Sequence, residues 1–221
     1  MDDNTKIVEA GYNTVALKYH QGRGQFETGS LLSEFHSLLK PGAHVLDAGC
    51  GAGIPVAKEL VEAGFAVTGI DLSSTMLELA RHHVPEATFH KMDMNSLVFK
   101  DEAFGGVVAC YSFFHVPASR QPGVLTDFHR ILQPGGGLMF TIATGAREGV
   151  GQMYGTDIYW SNLAPIDTIR MTEEAGFEIV RADERTCGGE IHFWVYARKP
   201  ETHNQQINRT IESRGFQLPV I

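Results

Sequence analysis

The chain has 221 residues, of which 43% are hydrophobic and 20% are charged, the composition of a folded globular protein. This length predicts one main core rather than two full-sized domains. The net charge of −8, without any run of Lys or Arg, argues against nucleic acid as a partner. No stretch resembles a signal peptide or a membrane span, so we expect a cytoplasmic protein that does not bind a membrane.

The three cysteines, Cys50, Cys110 and Cys187, are widely spaced and odd in number. This pattern argues against a disulfide framework and lacks the spacing of a zinc site. The sequence therefore predicts no structural disulfide and no metal.

Two helical stretches open the chain, and alternating strands and helices follow from residue 44, as in a stacked βαβ fold. We expect the first two helices, at residues 7–20 and 26–39, to form a lid, a dimer contact or both. The predicted strands are residues 44–48, 65–70, 87–92, 104–111 and 138–143, and the predicted helices between them are residues 54–63, 73–82 and 124–132.

The end of the pattern is different. A helix at residues 166–175 precedes two strands, at 178–182 and 191–197, and the short turn through Gly188 and Gly189 makes these an antiparallel pair. The expected organisation is an N-terminal lid or cap over residues 1–40, a ligand-binding domain over residues 41–199 and a polar tail over residues 200–221.

A glycine-rich turn joins the first strand to its helix, in residues 45–53 (VLDAGCGAG). Gly49, Gly51 and Gly53 permit close approach of a ligand to the backbone, and the following helix offers free NH groups. Tight strand-to-helix turns also use glycine without binding a ligand, so the turn alone does not establish a binding site.

Three acidic residues strengthen the prediction of a ligand site. Asp47, Asp71 and Asp93 lie at or just past the ends of three successive strands. Open α/β sheets bind ligands at this edge, and Asp71 suits the hydroxyls of a ribose. Alternatively, Asp71 caps the next helix, in competition with Ser73 or Ser74, and Asp93 is a turn residue.

The spacing of the glycines disfavours a nicotinamide cofactor. A dinucleotide-binding loop has the pattern Gly-x-Gly-x-x-Gly, but its third position falls here on Ile54, with glycine at 53. A cationic sulfonium ligand tolerates acidic surroundings better than a phosphate does.

Between residues 10 and 198 the chain resembles the class I S-adenosylmethionine-dependent methyltransferases of the single-domain, small-molecule type. The resemblance is carried by residues 45–53, 69–73 (GIDLS) with Met76 and Leu77, Asp93 and Met94, and 132–136 (LQPGG). It implies a Rossmann-like three-layer α/β sandwich. Its seven-stranded, mostly parallel sheet would end in an antiparallel C-terminal hairpin.

The same resemblance assigns roles to residues. It implies that the turn from Asp47 through Gly49 and Gly51 to Gly53 holds the methionine part of S-adenosylmethionine. The other implied contacts are Asp71 with the ribose, Asp93 and Met94 with the adenine, Leu72 with the adenine face, and the backbone near Cys110 and Tyr111 with the amino group. Met76 is a further implied cofactor-binding residue. Tyr12 and Tyr19 would close over the cofactor, although core packing produces the same spacing of seven.

Methyl transfer requires alignment more than acid–base chemistry, and a base only when the acceptor must lose a proton. His115 is the candidate base, and its alternative role is to bond loop backbone. The long segment 144–164 would form the acceptor pocket, or else a hydrophobic cluster under a loop. The expected acceptor-binding residues are Phe114, His115, Tyr154, Tyr159 and Trp160.

The prediction is an enzyme that methylates O, N or S of a small molecule by direct displacement and releases S-adenosylhomocysteine. The alternatives are a non-catalytic cofactor-binding partner subunit and, less favoured, an NAD-dependent oxidoreductase. We expect a monomer or homodimer.

Overall fold

The computed structural model describes residues 2–23, 29–187 and 189–201. The helices are α1 (Asp3–Arg23), α2 (Gly29–His36), α3 (Val56–Glu62), α4 (Ser74–His83), α5 (Gln121–Ile131) and α6 (Pro165–Glu174), with a 3₁₀ turn at Phe113–His115. The strands are β1 (His44–Ala48), β2 (Ala66–Asp71), β3 (Thr88–Lys91), β4 (Phe104–Ala109), β5 (Leu132–Ile142), β6 (Arg147–Met153), β7 (Thr156–Asn162), β8 (Glu178–Cys187) and β9 (Glu190–Arg198).

Seven strands form one sheet in the order β3-β2-β1-β4-β5-β9-β8. Strands β1 to β5 pair in parallel, whereas β9 runs antiparallel to both β5 and β8. The predicted Rossmann-like fold with its C-terminal antiparallel pair is confirmed. The strand order reverses between β1 and β4, which is where such sheets open a crevice for a ligand.

Strand periodicity builds the three layers, because successive side chains point to opposite faces of the sheet. On one face, Leu46, Val107 and Phe140 pack with residues of α5 and α6. On the other face, Val45, Val108 and Met139 pack with residues of α2, α3 and α4. Since both faces are covered, β1, β4 and β5 are buried at most positions.

Several boundaries differ from the sequence prediction. Strand β5 begins at Leu132 rather than residue 138, because Leu132 already pairs with Phe104 of β4, and Gly137 then pairs with Gly106. Helix α3 begins at Val56, after Pro55 at its N-cap, not at residue 54. Helix α5 begins earlier than predicted, at Gln121.

The segment 144–164, expected to be a long loop, contains a two-stranded antiparallel sheet, β6–β7, in register from Arg147↔Asn162 to Met153↔Thr156. It packs mainly on α1. The glycines at 149, 151 and 155 favour the prediction of a loop, but Gly149 and Gly151 lie within β6.

The N-terminal prediction for residues 26–39 is met by α2 over Gly29–His36, while residues 24–28 lie outside the described residues. The predicted tail falls almost wholly on residues 202–221, which also lie outside them. Within the described part of the chain, no helix combines the length and apolarity needed to cross a membrane.

Candidate active site

A cavity of about 660 Å³, including the part open to solvent, lies at the carboxyl ends of β1, β2 and β4. A second cavity shares Tyr19, Gly49, Gly51, Cys110 and Tyr111 with it. The first cavity is lined by Thr5, Tyr12, Tyr19, Gly49, Gly51, Ile70, Asp71, Leu72, Met76, Met92, Asp93, Met94, Asn95, Cys110, Tyr111, Ser112, His115 and Val116.

The glycine turn needs glycine for two separate reasons. At Gly49 φ is +80°, and a Cβ would lie 2.2 Å from Ser112 Cβ, so a side chain there would collide with the end of β4. At Gly51 φ is +52°, and no described atom lies within 4 Å of the Cβ position, so the missing side chain leaves open space beside the cavity. Gly53 has φ +77° and packs against Ala80 and Val84 instead of lining either cavity.

Asp71 is fixed in place by backbone donors. Gly51 N–H donates to its Oδ2 over 2.9 Å and Ser73 N–H to its Oδ1 over 2.8 Å. The helix cap itself is Ser73, whose hydroxyl accepts from Met76 N–H over 3.1 Å. Burial raises the pKa of Asp71 above its ordinary value, against the lowering effect of these hydrogen bonds. The carboxylate is therefore anchored to the turn and also faces the cavity.

Asp47 lines the second cavity and is 1% exposed. Its Oδ2 has no hydrogen-bond partner among the described residues. Burial, with a smaller contribution from the negative charge of Asp71, raises the pKa of Asp47 to about 8. A buried unpaired carboxyl oxygen is costly, so this position suits a ligand that brings a cation or an N–H donor.

Asp93 follows β3 in a tight turn. Its Oδ1 accepts from the backbone N–H of Asn95 over 2.9 Å and from the side-chain Nδ2 of Asn95 over 2.8 Å. The turn role considered for Asp93 is thus present, and the residue also lines the cavity. Asn95 Oδ1 is buried without a hydrogen-bond partner in the described part of the chain. It offers a second acceptor beside Met92 and Met94, which present apolar surface.

The end of β4 forms the opposite wall. Tyr111 has a φ of +54°, unusual for a non-glycine residue, and its N–H donates to Thr141 Oγ1 over 2.6 Å. This turn brings Cys110 and Tyr111 to the edge of both cavities. Ser112 then donates to Ala48 O over 2.6 Å, which ties β4 to β1 beside Gly49.

Helix α1 covers the site from outside the sheet. Tyr12 and Tyr19 both line the first cavity, and their rings meet edge to face with centroids 5.2 Å apart. Asn13 Oδ1 accepts from Ser73 Oγ over 2.8 Å and from Thr75 N–H over 3.3 Å. The cap of α4 is therefore also the attachment point of α1.

Gly11 allows α1 to approach the β6–β7 sheet. A Cβ at this position would lie 2.2 Å from Ile158 Cδ1 and 2.7 Å from Asp157 O. Because a backbone oxygen cannot move aside cheaply, only glycine permits this close packing. The contact holds the next residue, Tyr12, at the wall of the cavity beside His115.

His115 ends the 3₁₀ turn after β4 and is bonded at both ring nitrogens, to Tyr12 Oη over 2.8 Å and to Tyr159 O over 2.7 Å. The rings of Phe114, Tyr12 and Trp160 surround it, with centroids 4.8, 5.3 and 6.1 Å away. The backbone-bonding role considered for His115 is therefore present, and the ring still lines the cavity.

Buried Gln121 holds the two backbone segments around His115 together. Its Nε2 donates to Val116 O and to Ser161 O, each over 2.9 Å. Tyr159 is buried, and its hydroxyl donates to Glu148 on the paired strand. Burial and this hydrogen bond raise the pKa of Tyr159 to about 12, so it remains a neutral donor.

Among the five residues expected to bind the acceptor, only His115 lines the first cavity. Phe114, Tyr159 and Trp160 support His115 instead, with Trp160 also 5.6 Å from the Arg147 guanidinium. Tyr154 lies at the tip of the β6–β7 sheet and is 53% exposed. The hydrophobic cluster considered for segment 144–164 describes Tyr159 and Trp160 better than Tyr154.

The expected cofactor residues converge more fully. Eleven line the first cavity, Asp47 lines the second, and Gly53 supports the turn. Sequence reasoning missed Thr5, Asn13, Asn95, Ser112 and Gln121. Asn95 follows Asp93 by two residues, the spacing of an Asx turn, and Ser112 directly follows the expected Tyr111, so both carried a local signal.

This arrangement fits S-adenosylmethionine. Gly51 leaves room beside the turn, the unpaired oxygen of Asp47 suits an ammonium group, and Asp71 offers a carboxylate at the end of β2. Two thioether side chains, Met92 and Met94, supply apolar surface for a flat ring.

Residues 45–136 match a family model described as a methyltransferase domain. In this match and in its fold the chain is similar to the class I S-adenosylmethionine-dependent methyltransferases. This match favours a methyltransferase over the nicotinamide oxidoreductase.

Among relatives of this methyltransferase, the ubiquinone biosynthesis O-methyltransferase of Thiobacillus denitrificans is 34% identical over 155 residues, 62% of this chain and 65% of the relative. The malonyl-[acyl-carrier protein] O-methyltransferase of Erwinia pyrifoliae is 32% identical over 143 residues, 64% of this chain and 53% of the relative. The chain thus spans less than two thirds of the length of either relative.

A solved structure with S-adenosylmethionine bound, the magnesium protoporphyrin IX methyltransferase ChlM of Synechocystis PCC 6803, superposes with a TM-score of 0.70 at 19% identity. The match covers 90% of this chain and 98% of ChlM. At this identity the likeness establishes the fold.

Proposed function

We propose that this methyltransferase transfers the methyl group of S-adenosylmethionine to an oxygen, nitrogen or sulfur atom of a small neutral molecule by direct displacement. The observation that carries the proposal is the convergence of the glycine turn, Asp71, Asp93 and His115 on one cavity. The cofactor would supply an activated methyl group there.

The cofactor-binding roles follow from position. Asp71 would hold the ribose hydroxyls, since backbone donors fix its carboxylate at the end of β2. Asp47 would face the amino group of the methionine part, and Asp93 with Asn95 would receive the adenine. Helix α1 would cover the ligand through Tyr12 and Tyr19, which line the cavity.

The charge of the cavity indicates what kind of acceptor fits. Its lining contains the carboxyl groups of Asp71 and Asp93 but, among the described residues, neither Lys nor Arg. An acceptor with a carboxylate or phosphate near the reacting atom would be repelled there. We therefore infer an uncharged acceptor, and the relative named a ubiquinone biosynthesis O-methyltransferase makes hydroxyl compounds the first to screen.

The central test is calorimetric titration of the cofactor-stripped chain with S-adenosylmethionine and S-adenosylhomocysteine, with NAD as a negative control. Asp71→Ala should weaken binding at least about 100-fold, because hydrogen bonds to a charged group contribute about 1.5–3 kcal/mol each. Asp167→Ala is the matched control, since this exposed carboxylate on α6 pairs only loosely with Arg170, at 3.5 Å. It should bind as the unaltered chain does.

Two results would contradict the proposal. One is the absence of binding by either ligand. The other is equal binding by Asp71→Ala and Asp167→Ala. Thermal unfolding of both variants shows whether a loss of binding reflects a loss of fold.

A further inference from the structure

The hydrogen bonds of His115 define the tautomer of its ring. A carbonyl oxygen only accepts, so the 2.7 Å contact with Tyr159 O requires the hydrogen on Nδ1. In the neutral imidazole Nε2 then carries the lone pair, and the 2.8 Å contact makes the Tyr12 hydroxyl its donor.

We infer that Tyr12 and His115 form a two-residue proton relay in which the Tyr12 hydroxyl oxygen receives the proton of the methyl acceptor. This inference rests on the proposed function and deepens it. It assigns to Tyr12 a catalytic role beyond covering the cofactor.

The placement of the two side chains supports the relay. Both line the cavity, but the Tyr12 hydroxyl already occupies the Nε2 lone pair of His115. The rings of Phe114 and Trp160 flank the imidazole at 4.8 and 6.1 Å. A proton from the cavity therefore reaches Nε2 through Tyr12.

Two parts of the fold hold this geometry. Gly11 seats α1 against β7, which carries the Tyr159 carbonyl. Gln121 joins the 3₁₀ turn carrying His115 to β7 through its bonds to Val116 O and Ser161 O. The donor, the imidazole and the carbonyl are thus fixed by neighbouring elements of one assembly.

The step balances in atoms and charge. The acceptor oxygen forms its bond to the methyl carbon as the carbon–sulfur bond breaks, and the sulfur keeps that electron pair. The acceptor proton passes to Tyr12 Oη while the original Tyr12 proton passes to Nε2. The imidazolium that results donates through Nδ1 to Tyr159 O and later releases its extra proton to solvent.

This relay selects a chemical class of acceptor. It serves a neutral group that must lose a proton to be methylated, such as a hydroxyl or a thiol, and gives no advantage to an acceptor that is already ionised. A phenol or enol is the acceptor that the relay fits best, since its proton is acidic enough to pass to a tyrosine oxygen.

The first test needs no acceptor. Long-range proton–nitrogen NMR of the full chain labelled with ¹⁵N-histidine, with His115 assigned by the signal missing in His115→Asn, should show a protonated Nδ1 and an unprotonated Nε2. Tyr12→Phe should shift the Nε2 resonance. Tyr196→Phe is the matched control, because it removes a buried hydroxyl bonded to Leu31 O outside both cavities, and it should leave the His115 signals unchanged.

The second test uses a panel of phenols and aliphatic alcohols as acceptors. With a phenol from the panel that the enzyme methylates, Tyr12→Phe and His115→Asn should each lower kcat by about 10² to 10⁴, the range of general acid–base catalysis. The change in KM for S-adenosylmethionine should be much smaller. The double variant should lose little more than either single variant, since the two residues act in one chain.

Three results would overturn the relay: a proton on Nε2, an Nε2 signal indifferent to Tyr12→Phe, or an effect of Tyr12→Phe confined to KM for S-adenosylmethionine. These failures are distinct from failure of the proposed function, which calorimetry detects as absent cofactor binding even when the NMR signals agree with the relay.

Discussion

The two sides of the cavity are held in place by different kinds of contact. On the cofactor side, strand ends and a glycine turn hold Asp71 through backbone N–H groups of Gly51 and Ser73. On the side proposed for the acceptor, Tyr12, His115 and Tyr159 come from α1, the 3₁₀ turn and β7, and contacts between separate elements hold them. The first side follows from local sequence, and the second depends on how distant segments pack.

The largest expected effect comes from breaking the cofactor side. Gly49→Ala should abolish binding of S-adenosylhomocysteine, because its Cβ would meet Ser112 Cβ at 2.2 Å and force the turn away from β4. Calorimetry measures the loss, and we expect more than a 100-fold decrease in affinity.

Gly42→Ala is the control for Gly49→Ala. It also has a positive φ, +68°, but no described atom lies within 4 Å of its Cβ position. It should lose about 1–2 kcal/mol of stability from the left-handed backbone and keep full ligand affinity. Equal affinity losses in the two variants would show that backbone strain, rather than the contact with Ser112, explains the requirement for glycine.

A graded effect on the same side is the pH dependence of binding. With a pKa of about 8, Asp47 is mostly protonated at pH 6 to 7.5. A cationic ligand favours its ionised form, so the proton must leave on binding. Affinity for S-adenosylhomocysteine should therefore rise with pH, by at most about tenfold per unit.

Asp47→Asn separates this dependence from other titrations. His20 lines the second cavity together with Asp47, and burial lowers its pKa. A protonated His20 would repel a cationic ligand group, so its titration in acid also weakens binding. The variant should bind more weakly and lose most of the slope between pH 6.5 and 7.5. Because the pKa of Asp47 is raised in the folded protein, its ionisation is destabilising. The free energy of unfolding of the ligand-free protein should therefore fall as the pH rises from about 4 to 8, and the contribution of Asp47 to this fall should be absent in Asp47→Asn. An unchanged slope in the variant would contradict the role given to Asp47.

The smallest effect should come from loosening the acceptor side. Gly11→Ala favours helix by about 1 kcal/mol, but its Cβ would lie 2.7 Å from Asp157 O. We expect a net lowering of the melting temperature and a shift of the His115 Nε2 resonance, with cofactor affinity reduced only several-fold.

Gly123→Ala in α5 makes the same exchange with no described atom within 4 Å, so it should raise the melting temperature. A rise of equal size in Gly11→Ala would show that α1 and β7 are not closely seated in solution.

The contrast between the two sides also explains what the sequence could predict. The alternation of strands and helices, the turn with Gly49 and Gly51, and Asp71 at a strand end are local patterns, and the resemblance to a family rests on them. They predicted the sheet and the lining of its cofactor side. The role of Asn13 could not be predicted, because its partners Ser73 and Thr75 lie some 60 residues away.

The positions of the residues expected to bind the acceptor could not be predicted for a similar reason. Tyr159 and Trp160 were expected to contact the acceptor because they are aromatic and lie in a long insertion. The insertion forms a β-hairpin instead, which directs the Tyr159 hydroxyl to Glu148 and gives its carbonyl to His115. Gln121 carried no signal, since a glutamine in the first turn of a helix is ordinarily a surface residue.

The separation of the β6–β7 hairpin from the seven-stranded sheet has a practical consequence for engineering. Among the described residues its strands pair with each other alone, so the hairpin can be exchanged for one of different length or sequence without altering the register of the seven-stranded sheet. Libraries restricted to residues 147–162, with Ile158 and the backbone at 159 and 161 kept in place, would therefore vary the surroundings of His115 while retaining the core of the seven-stranded sheet.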